Sequence, residues 1–432
     1  MFLDRHDLGR RTLLVHIDQQ QSDLATSAEL AELASSAGLE TIGCLSSKRK
    51  IPHPKTFVGG GKVDEIASWI AERECDLIVF GDDLSPTQER NLEKALQRRV
   101  LGRTGLILEI FARRARTHEG KLQVELAQLD HAASRLVRGW SHLDRQRGGS
   151  GRGAGSGSGL GGAGETQLEA DQRMLGNRIK QINGRLANVR RQRALNRRGR
   201  TRSDTSTISL AGYTNAGKST LFNRLCNAGV HAEDQLFATL DPTLRNLILP
   251  IIGKAVLADT VGFIRALPHG LVDAFRATLE EVSQSDLILH VVDGSASLKE
   301  ERIHEVNRVL GEIDASEIPQ LMVYNKIDLM EEAPRIERGS DGRPTKVWVS
   351  GVTGDGGDLL LEAIAERLAE DAIETIITLG PEDGRMRARF FEIGAVVEEN
   401  ICEDGSIEIH LKIQESSLRK IVGHRRDLLR GT

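Results

Sequence analysis

Aromatic residues make up only 3% of the 432-residue chain, too few for the stacked platforms on which proteins bind single-stranded bases. Cysteine is scarce as well. Cys44, Cys75, Cys226 and Cys402 stand far apart, with no C-x-x-C pair and no Cys/His metal spacing, so reduced thiols in a cytosolic protein are expected. No apolar run reaches the roughly 18 residues of a membrane span. The longest candidate, Leu247 to Ala258, is cut by Gly253 and Lys254. The opening MFLDRHDLGRR has no apolar stretch of the kind a secretion signal needs. Together these absences predict a cytoplasmic protein with no transmembrane segment. A strong charge of one sign is also missing: the formal net charge is −4. Affinity for a polyanion must therefore come from local basic clusters. The chain does have core-forming material, 39% hydrophobic, in a length that suggests about three domains.

The most informative stretch is ISLAGYTNAGKSTL, Ile208 to Leu221. An apolar run predicts a buried strand up to Ala211. A loop bracketed by Gly212 and Gly217 follows, and Lys218, Ser219 and Thr220 open a helix. This is the G-x-x-x-x-G-K-[ST] pattern. Such a loop, through Gly212, Tyr213, Thr214, Asn215, Ala216 and Gly217, turns backbone N–H groups inward onto a polyphosphate, and the helix N-terminus adds its dipole. Lys218 would reach the outer phosphates, and the Ser219 hydroxyl would hold Mg²⁺.

Before this stretch, residues 1–116 alternate apolar runs (Thr12–Ile17, Thr41–Leu45, Leu77–Phe80) with helical patterns (Ser22–Ala37, Lys62–Arg73, Ser85–Leu96). That alternation predicts an α/β domain with a mainly parallel sheet. Gly59-Gly60-Gly61-Lys62 has the wrong spacing for a phosphate loop and reads as a glycine turn into a helix. Residues 117–202 differ. Leu122, Leu126, Leu129, Ala133, Leu136 and Trp140 keep a heptad step, as do Leu168, Leu175, Ile179, Ile182, Leu186 and Val189. Two amphipathic helices in an antiparallel hairpin follow from this. Between them, Gly148 to Gly164 is a glycine/serine tract with the composition of a flexible linker.

The second helix ends in a basic block: Arg178, Lys180, Arg185, Arg190, Arg191, Arg193, Arg197, Arg198, Arg200 and Arg202. Such a run is commonly a solvated helix face. Its uniform sign and its arginine content suit phosphate-backbone contacts instead, and Arg113, Arg114, Arg116, Arg135 and Arg138 extend the footprint. Strand and helix alternation resumes over residues 203–370, with buried strands at Lys254–Asp259, Leu287–Asp293, Gln320–Asn325 and Lys346–Ser350. This is a doubly wound layout, with ligand chemistry at the carboxyl ends of the strands. Residues 371–432 predict a small α+β domain: a strand at Ile376–Leu379, a helix at Met386–Val397, an alternating strand at Ile407–Ile413, and a last basic helix.

Further tetrapeptides, each at a strand end, select the nucleotide. In Asp259-Thr260-Val261-Gly262 the aspartate can hold Mg²⁺ and the glycine N–H can sense a terminal phosphate. In Asn325-Lys326-Ile327-Asp328 the Asp328 carboxylate can accept from guanine N1 and N2, a donor pair that adenine lacks. Ser350, Gly351 and Val352 follow the next strand and offer a backbone N–H to guanine O6. The expected mobile segment is Asp234–Thr243 (DQLFATLDPT), with Phe237, Ala238, Thr239, Leu240 and Asp241 as its nucleotide-contacting residues. Thr239 is its Mg²⁺-closing residue and Thr243 a rival. Lys218, Thr239 and Gly262 form the expected catalytic set, and Ser219, Thr239 and Asp259 the metal set.

These motifs resemble those of TRAFAC-type GTPases. GYTNAGKSTLFNRL, LFATLDPT, ADTVGFI and YNKID, with EGKLQVELAQL (Glu119–Leu129), GETQLEADQR (Gly164–Arg173) and FVGGGKVDEI (Phe57–Ile66), together resemble the HflX family of ribosome-associated GTPases. The resemblance runs from about residue 10 to about residue 370. It implies an Mg²⁺-dependent GTPase domain preceded by an α/β domain and helical hairpin. It further implies docking of those elements and the arginine block on the ribosomal RNA of the large subunit, a glycine-rich loop reaching toward the peptidyl transferase centre, and a role in splitting stalled or idle ribosomes. A monomer is expected. The glycine tract is longer and more repetitive than the family's loop, and Gly351 stands where alanine is usual. Two other readings fit parts of the sequence: a G protein assisting RNA modification, and a regulator of a membrane or protein partner. No cofactor-binding module favours the first. The arginine block has no apolar insertion face to favour the second.

Overall fold

The computed structural model describes residues 11–18, 23–48, 51–147, 167–202, 205–226, 237, 243–250, 252–264, 279, 281–369, 372–402, 405–414, 418, 421 and 422. These fall into two compact units that meet in sequence at Val189 and Arg190. Among the described residues no helix is long and apolar enough to cross a membrane.

In the first unit the apolar runs form parallel strands β1 (Arg11–Asp18), β2 (Glu40–Lys48), β3 (Leu77–Phe80) and β4 (Arg99–Leu101), in the order β2-β1-β3-β4. Helices α1 (Asp23–Ser36), α2 (Gly60–Ala71), α3 (Pro86–Leu96) and α4 (Arg103–Arg114) alternate with them. β3 is buried throughout, as a parallel strand covered on both faces must be. Ser85 caps α3: its Oγ accepts from Gln88 N, its own N–H donates to Gln88 Oε1, and Pro86 follows. Gly59 is the N-cap of α2, and Lys62 is bound to Glu65 at 2.8 Å, so this glycine run is a helix start.

Helices α5 (His118–Arg147) and α6 (Gln167–Arg202) share one apolar seam, with Leu122, Leu126 and Leu129 against Leu175, Ile182 and Leu186. The heptad positions predicted this contact. The glycine/serine tract between the helices lies outside the described residues. Three arginines of the predicted basic footprint have local acidic partners. Arg178 Nε donates to Glu125 Oε1 at 2.7 Å, Arg113 pairs with Glu109 at 3.0 Å, and Arg135 pairs with Glu89. These three brace helices, which removes them from a purely solvated or ligand-facing set.

The second unit is built on a seven-stranded sheet ordered β10-β11-β9-β8-β5-β7-β6. Its strands are β5 (Thr207–Gly212), β6 (Thr243–Leu249), β7 (Gly253–Asp259), β8 (Leu287–Asp293), β9 (Gln320–Asn325), β10 (Arg335–Arg338) and β11 (Pro344–Trp348). The interior strands are parallel, and β6 and β10 are antiparallel edges. The apolar run Leu247–Ala258 is thus not one element. It folds back at Gly253, whose φ of +80° permits the turn, into the β6–β7 hairpin. Helices α7 (Lys218–Cys226), α8 (Lys299–Glu312) and α9 (Gly357–Leu368) alternate with the strands. The core joins Ile208, Leu210 and Leu289 to Phe222, Leu360 and Ile364.

Beyond it, β12 (Ala372–Leu379), β14 (Ile407–Gln414) and β13 (Val396–Ile401) form an antiparallel sheet in that order, with helix α10 (Gly384–Glu392). The helix expected over Met386–Val397 ends early. Gly394 takes φ +66°, and Ala395 N–H closes back on Phe390 O at 3.0 Å. This left-handed glycine stop releases Val396 into a strand. Of the expected final helix only Leu418, Ile421 and Val422 are among the described residues.

Candidate functional site

Side chains from the carboxyl ends of β5, β7 and β9 and from the loop after β11 converge at one end of the second unit's sheet. β5 delivers the loop Gly212–Gly217 into α7. Gly217 has φ +86°, and a Cβ on it would lie 2.2 Å from Asn325 Nδ2, so only glycine fits. Lys218 folds back over the loop, its Nζ donating to Gly212 O at 3.1 Å and Tyr213 O at 2.8 Å. Burial lowers its pKa to about 8, partly offset by the Asp259 carboxylate. Ser219 Oγ donates to Asp259 Oδ2 at 2.7 Å. Thr260 Oγ1 donates to Leu210 O at 2.5 Å, anchoring the segment that leads to Gly262.

Asn325 joins the two halves of the site. Its Nδ2 donates to Ala216 O and its Oδ1 accepts from Gly351 N–H, both at 2.9 Å. Lys326 has a left-handed backbone, φ +67°, which turns the chain so that exposed Asp328 meets Ser350: Ser350 Oγ donates to Asp328 Oδ1 at 2.6 Å. Ile327 is buried and Val352 is exposed. Thr214 is buried, and Asn215 and Thr220 are half-buried. Gly262 lies against the tip of Lys218, and Val261 is buried beside it. Phe237 is buried with φ +57°. Ala238, Thr239, Leu240 and Asp241 lie outside the described residues. Thr243, the rival to Thr239, opens β6 in register with Asp259.

Several residues here were not legible in the sequence. Asp293 ends β8 and holds Lys326 Nζ at 2.8 Å. Burial alone would raise its carboxyl pKa, but hydrogen bonds from Lys326 and Ser295 hold it below the usual range. The Arg302 guanidinium stands 5.1 Å from the centre of the Tyr213 ring. Arg224 NH2 donates to Thr353 O, bracing the loop after Ser350.

His290, mid-way along β8, is buried with a pKa lowered to about 4, chiefly by desolvation; its Nδ1 meets Gln320 Oε1 at 3.3 Å. The unfolded chain therefore binds a proton between about pH 6.5 and 4 that the native state rejects, and stability falls as pH drops through that window. We expect a loss of about 2 kcal/mol between pH 7 and pH 5 from this group. Denaturant melts at the two pH values should show a clearly smaller loss for His290→Gln; equal losses would mean that His290 does not set the acid sensitivity.

As chemistry, the site offers a ring of backbone N–H groups at a helix N-terminus and a buried ammonium. Beside them stand a hydroxyl–carboxylate pair of hard oxygens suited to Mg²⁺ and, after β9, two strands from β5, an exposed carboxylate set by Ser350. Comparison with known proteins agrees. The chain matches family models described as GTP-binding GTPase N-terminal over residues 25–112 and GTP-binding GTPase middle region over 114–200. It also matches 50S ribosome-binding GTPase over 207–326 and HflX C-terminal domain over 335–426. It is 51% identical over 420 residues to GTPase HflX of Escherichia coli, covering 97% of each chain. It is 48% identical over 376 residues to GTPase HflX of Magnetococcus marinus, covering 87% of this chain and 85% of that one. A crystal structure of a GTP-binding protein from Sulfolobus solfataricus in complex with GDP aligns over 83% of this chain and 98% of its own, at 23% identity and TM-score 0.43. With half its residues shared over nearly its whole length, the chain belongs to the HflX family of GTPases.

Proposed function

We propose that the protein is a GTP-driven switch that docks on the large ribosomal subunit and splits or rescues stalled or idle ribosomes in the cytoplasm, acting as a monomer. The observation that carries this reading is the hydrogen-bonded convergence of the phosphate loop, Asp259, Asn325 and Ser350–Gly351 on one site, in a chain that a relative matches over 97% of its length. In this reading Gly212–Thr220 cradle the phosphates and Lys218 neutralises their charge. Ser219, Asp259 and Thr239 would hold Mg²⁺, which would supply charge neutralisation to the phosphates. The segment Phe237–Asp241 closes over the nucleotide. Gly262 senses the terminal phosphate. Asp328, backed by Ser350, reads guanine, with Asn325, Lys326 and Ile327 positioning it and Gly351–Val352 lining the base.

The division of labour follows the same four segments. Residues 1–116 and 117–202 dock on ribosomal RNA, 203–370 bind and hydrolyse GTP, and 371–432 complete the second unit. The arginine block of α6 supplies a salt-dependent, sequence-independent attraction to RNA. Replacing Arg190, Arg191, Arg197 and Arg198 by Gln should lower the slope of log affinity against log salt by roughly 3, at about 0.7–0.9 per lost phosphate contact. Co-sedimentation with large subunits across a salt series, in the presence of a non-hydrolysable GTP analogue, measures it. An unchanged slope would return the block to a solvated helix face. Wild-type protein that stays in the supernatant at every salt would remove the ribosome from the reading.

A further inference from the structure

Phe263 occupies the position after Gly262, where many GTPases carry a glutamine that orients the attacking water. It is 2% exposed. Its backbone is committed as well: its N–H donates to Gly212 O at 3.1 Å, and its carbonyl accepts from Thr214 N–H at 2.7 Å. The Phe263 side chain has no hydrogen-bonding group to offer a water molecule, and its N–H is already committed to Gly212 O. The same hydrogen bonds tie Thr214 to the segment that carries Gly262. A Cβ built on Gly262 would lie 2.9 Å from Thr214 Cγ2 and 3.0 Å from Lys218 Nζ. The Thr214 methyl and backbone and the Lys218 ammonium therefore crowd Gly262, which places the Thr214 side chain, with its hydroxyl, next to the glycine that the nucleotide-site reading assigns to the terminal phosphate.

Thr214 is 3% exposed, and among the described residues its Oγ1 has no hydrogen-bond partner. A buried hydroxyl without a partner destabilises a fold relative to an isosteric methyl. Valine has nearly the same shape and would pack here without that cost. A polar atom kept where packing asks for an apolar one points to a ligand that satisfies it.

We propose that the Thr214 hydroxyl is a catalytic group. It accepts a hydrogen bond from the attacking water and donates its own hydrogen to an oxygen of the terminal phosphate, aligning the water for in-line attack. The water oxygen bonds to the terminal phosphorus as the bond from phosphorus to the bridging oxygen breaks. The bond pair leaves with GDP, the water's proton passes to the released phosphate, and Thr214 keeps its own proton. The proposal rests on the nucleotide-site reading above. Thr214 sets the basal rate of the free protein, and what a partner supplies adds to it.

The test compares wild type, Thr214→Val and Thr214→Ser as full chains. It combines single-turnover GTP hydrolysis at excess protein, equilibrium binding of fluorescent GDP and of a non-hydrolysable GTP analogue, and thermal melting without nucleotide. Thr214→Val should hydrolyse roughly 10–100-fold more slowly, a water-positioning loss, with both affinities within about 2-fold of wild type and melting unchanged or raised. Thr214→Ser, which restores the hydroxyl, should recover to within about 3-fold of wild type. A Val variant that turns over at the wild-type rate would overturn the proposal. So would Val and Ser variants that lose rate and GDP affinity together, which is the signature of a structural role. A wild-type protein that binds or hydrolyses no GTP overturns the nucleotide-site reading instead.

Discussion

Asp328→Asn is expected to weaken GTP binding by roughly 10²–10³-fold and to confer xanthine nucleotide binding of comparable strength, from two charge-assisted hydrogen bonds of about 1.5–3 kcal/mol each. In the proposed reading the carboxylate accepts from guanine N1–H and N2–H. An amide in its place presents a donor to one of them, so one bond is lost and its partner is left facing another donor. Xanthine carries a carbonyl where guanine has its amino group, and it restores the match. The geometry makes the effect local. Asp328 is exposed, and its hydrogen bond from Ser350 Oγ at 2.6 Å can equally be made to the amide oxygen. The Asn325 bonds to Ala216 O and Gly351 N–H that hold the loops together are untouched. Competition of GTP, ATP and XTP against a fluorescent nucleotide reads the exchange directly. Equal GTP affinity in wild type and mutant would mean that guanine is held elsewhere.

The strand ends that carry this site were legible because β5, β7 and β9 are short, largely apolar runs, each closed by a polar tetrapeptide or glycine loop. In a parallel sheet those closures must fall on one edge. Register decides what was not legible. Asp293 meets Lys326 because β8 and β9 pair Asp293 with Asn325, a neighbour relation that the linear sequence does not display. Within the run Leu247–Ala258, cut at Gly253 and Lys254, the strand Lys254–Asp259 was legible, whereas its antiparallel edge partner β6, with exposed Arg245, Asn246 and Ile248, was not; the positive φ at Gly253 turns one into the other. The helix beginning at Gly384 looked longer than it is because Val396 and Val397 continue its apolar period, while Gly394 ends it. Thr214 was visible only as a loop position. That its hydroxyl is buried and unsatisfied depends on Phe263 and Gly262, which arrive from β7, the strand next to β5. The arginines that pair with Glu89, Glu109 and Glu125 looked like part of one basic surface because a sequence does not show which acids face them.

The second large effect concerns the rate of the chemistry. Phosphate binding and Mg²⁺ do not require a residue at Phe263, so GTP should bind well. The side chain that orients water in related enzymes is replaced by a buried ring, and water positioning is a transition-state contribution. Hydrolysis by the free protein should therefore be slow. In the proposed reading a partner supplies the missing alignment and electrostatics; partner-supplied groups in other GTPases contribute about 10³–10⁵-fold. The partner proposed above is the large ribosomal subunit, so GTP turnover reports docking and catalysis together. The direct measurement is single-turnover GTP hydrolysis with and without purified large subunits at matched salt. A slow basal rate raised at least about 10²-fold by large subunits, and by neither small subunits nor free RNA, is the predicted result. A fast rate in their absence that does not change when they are added would contradict it.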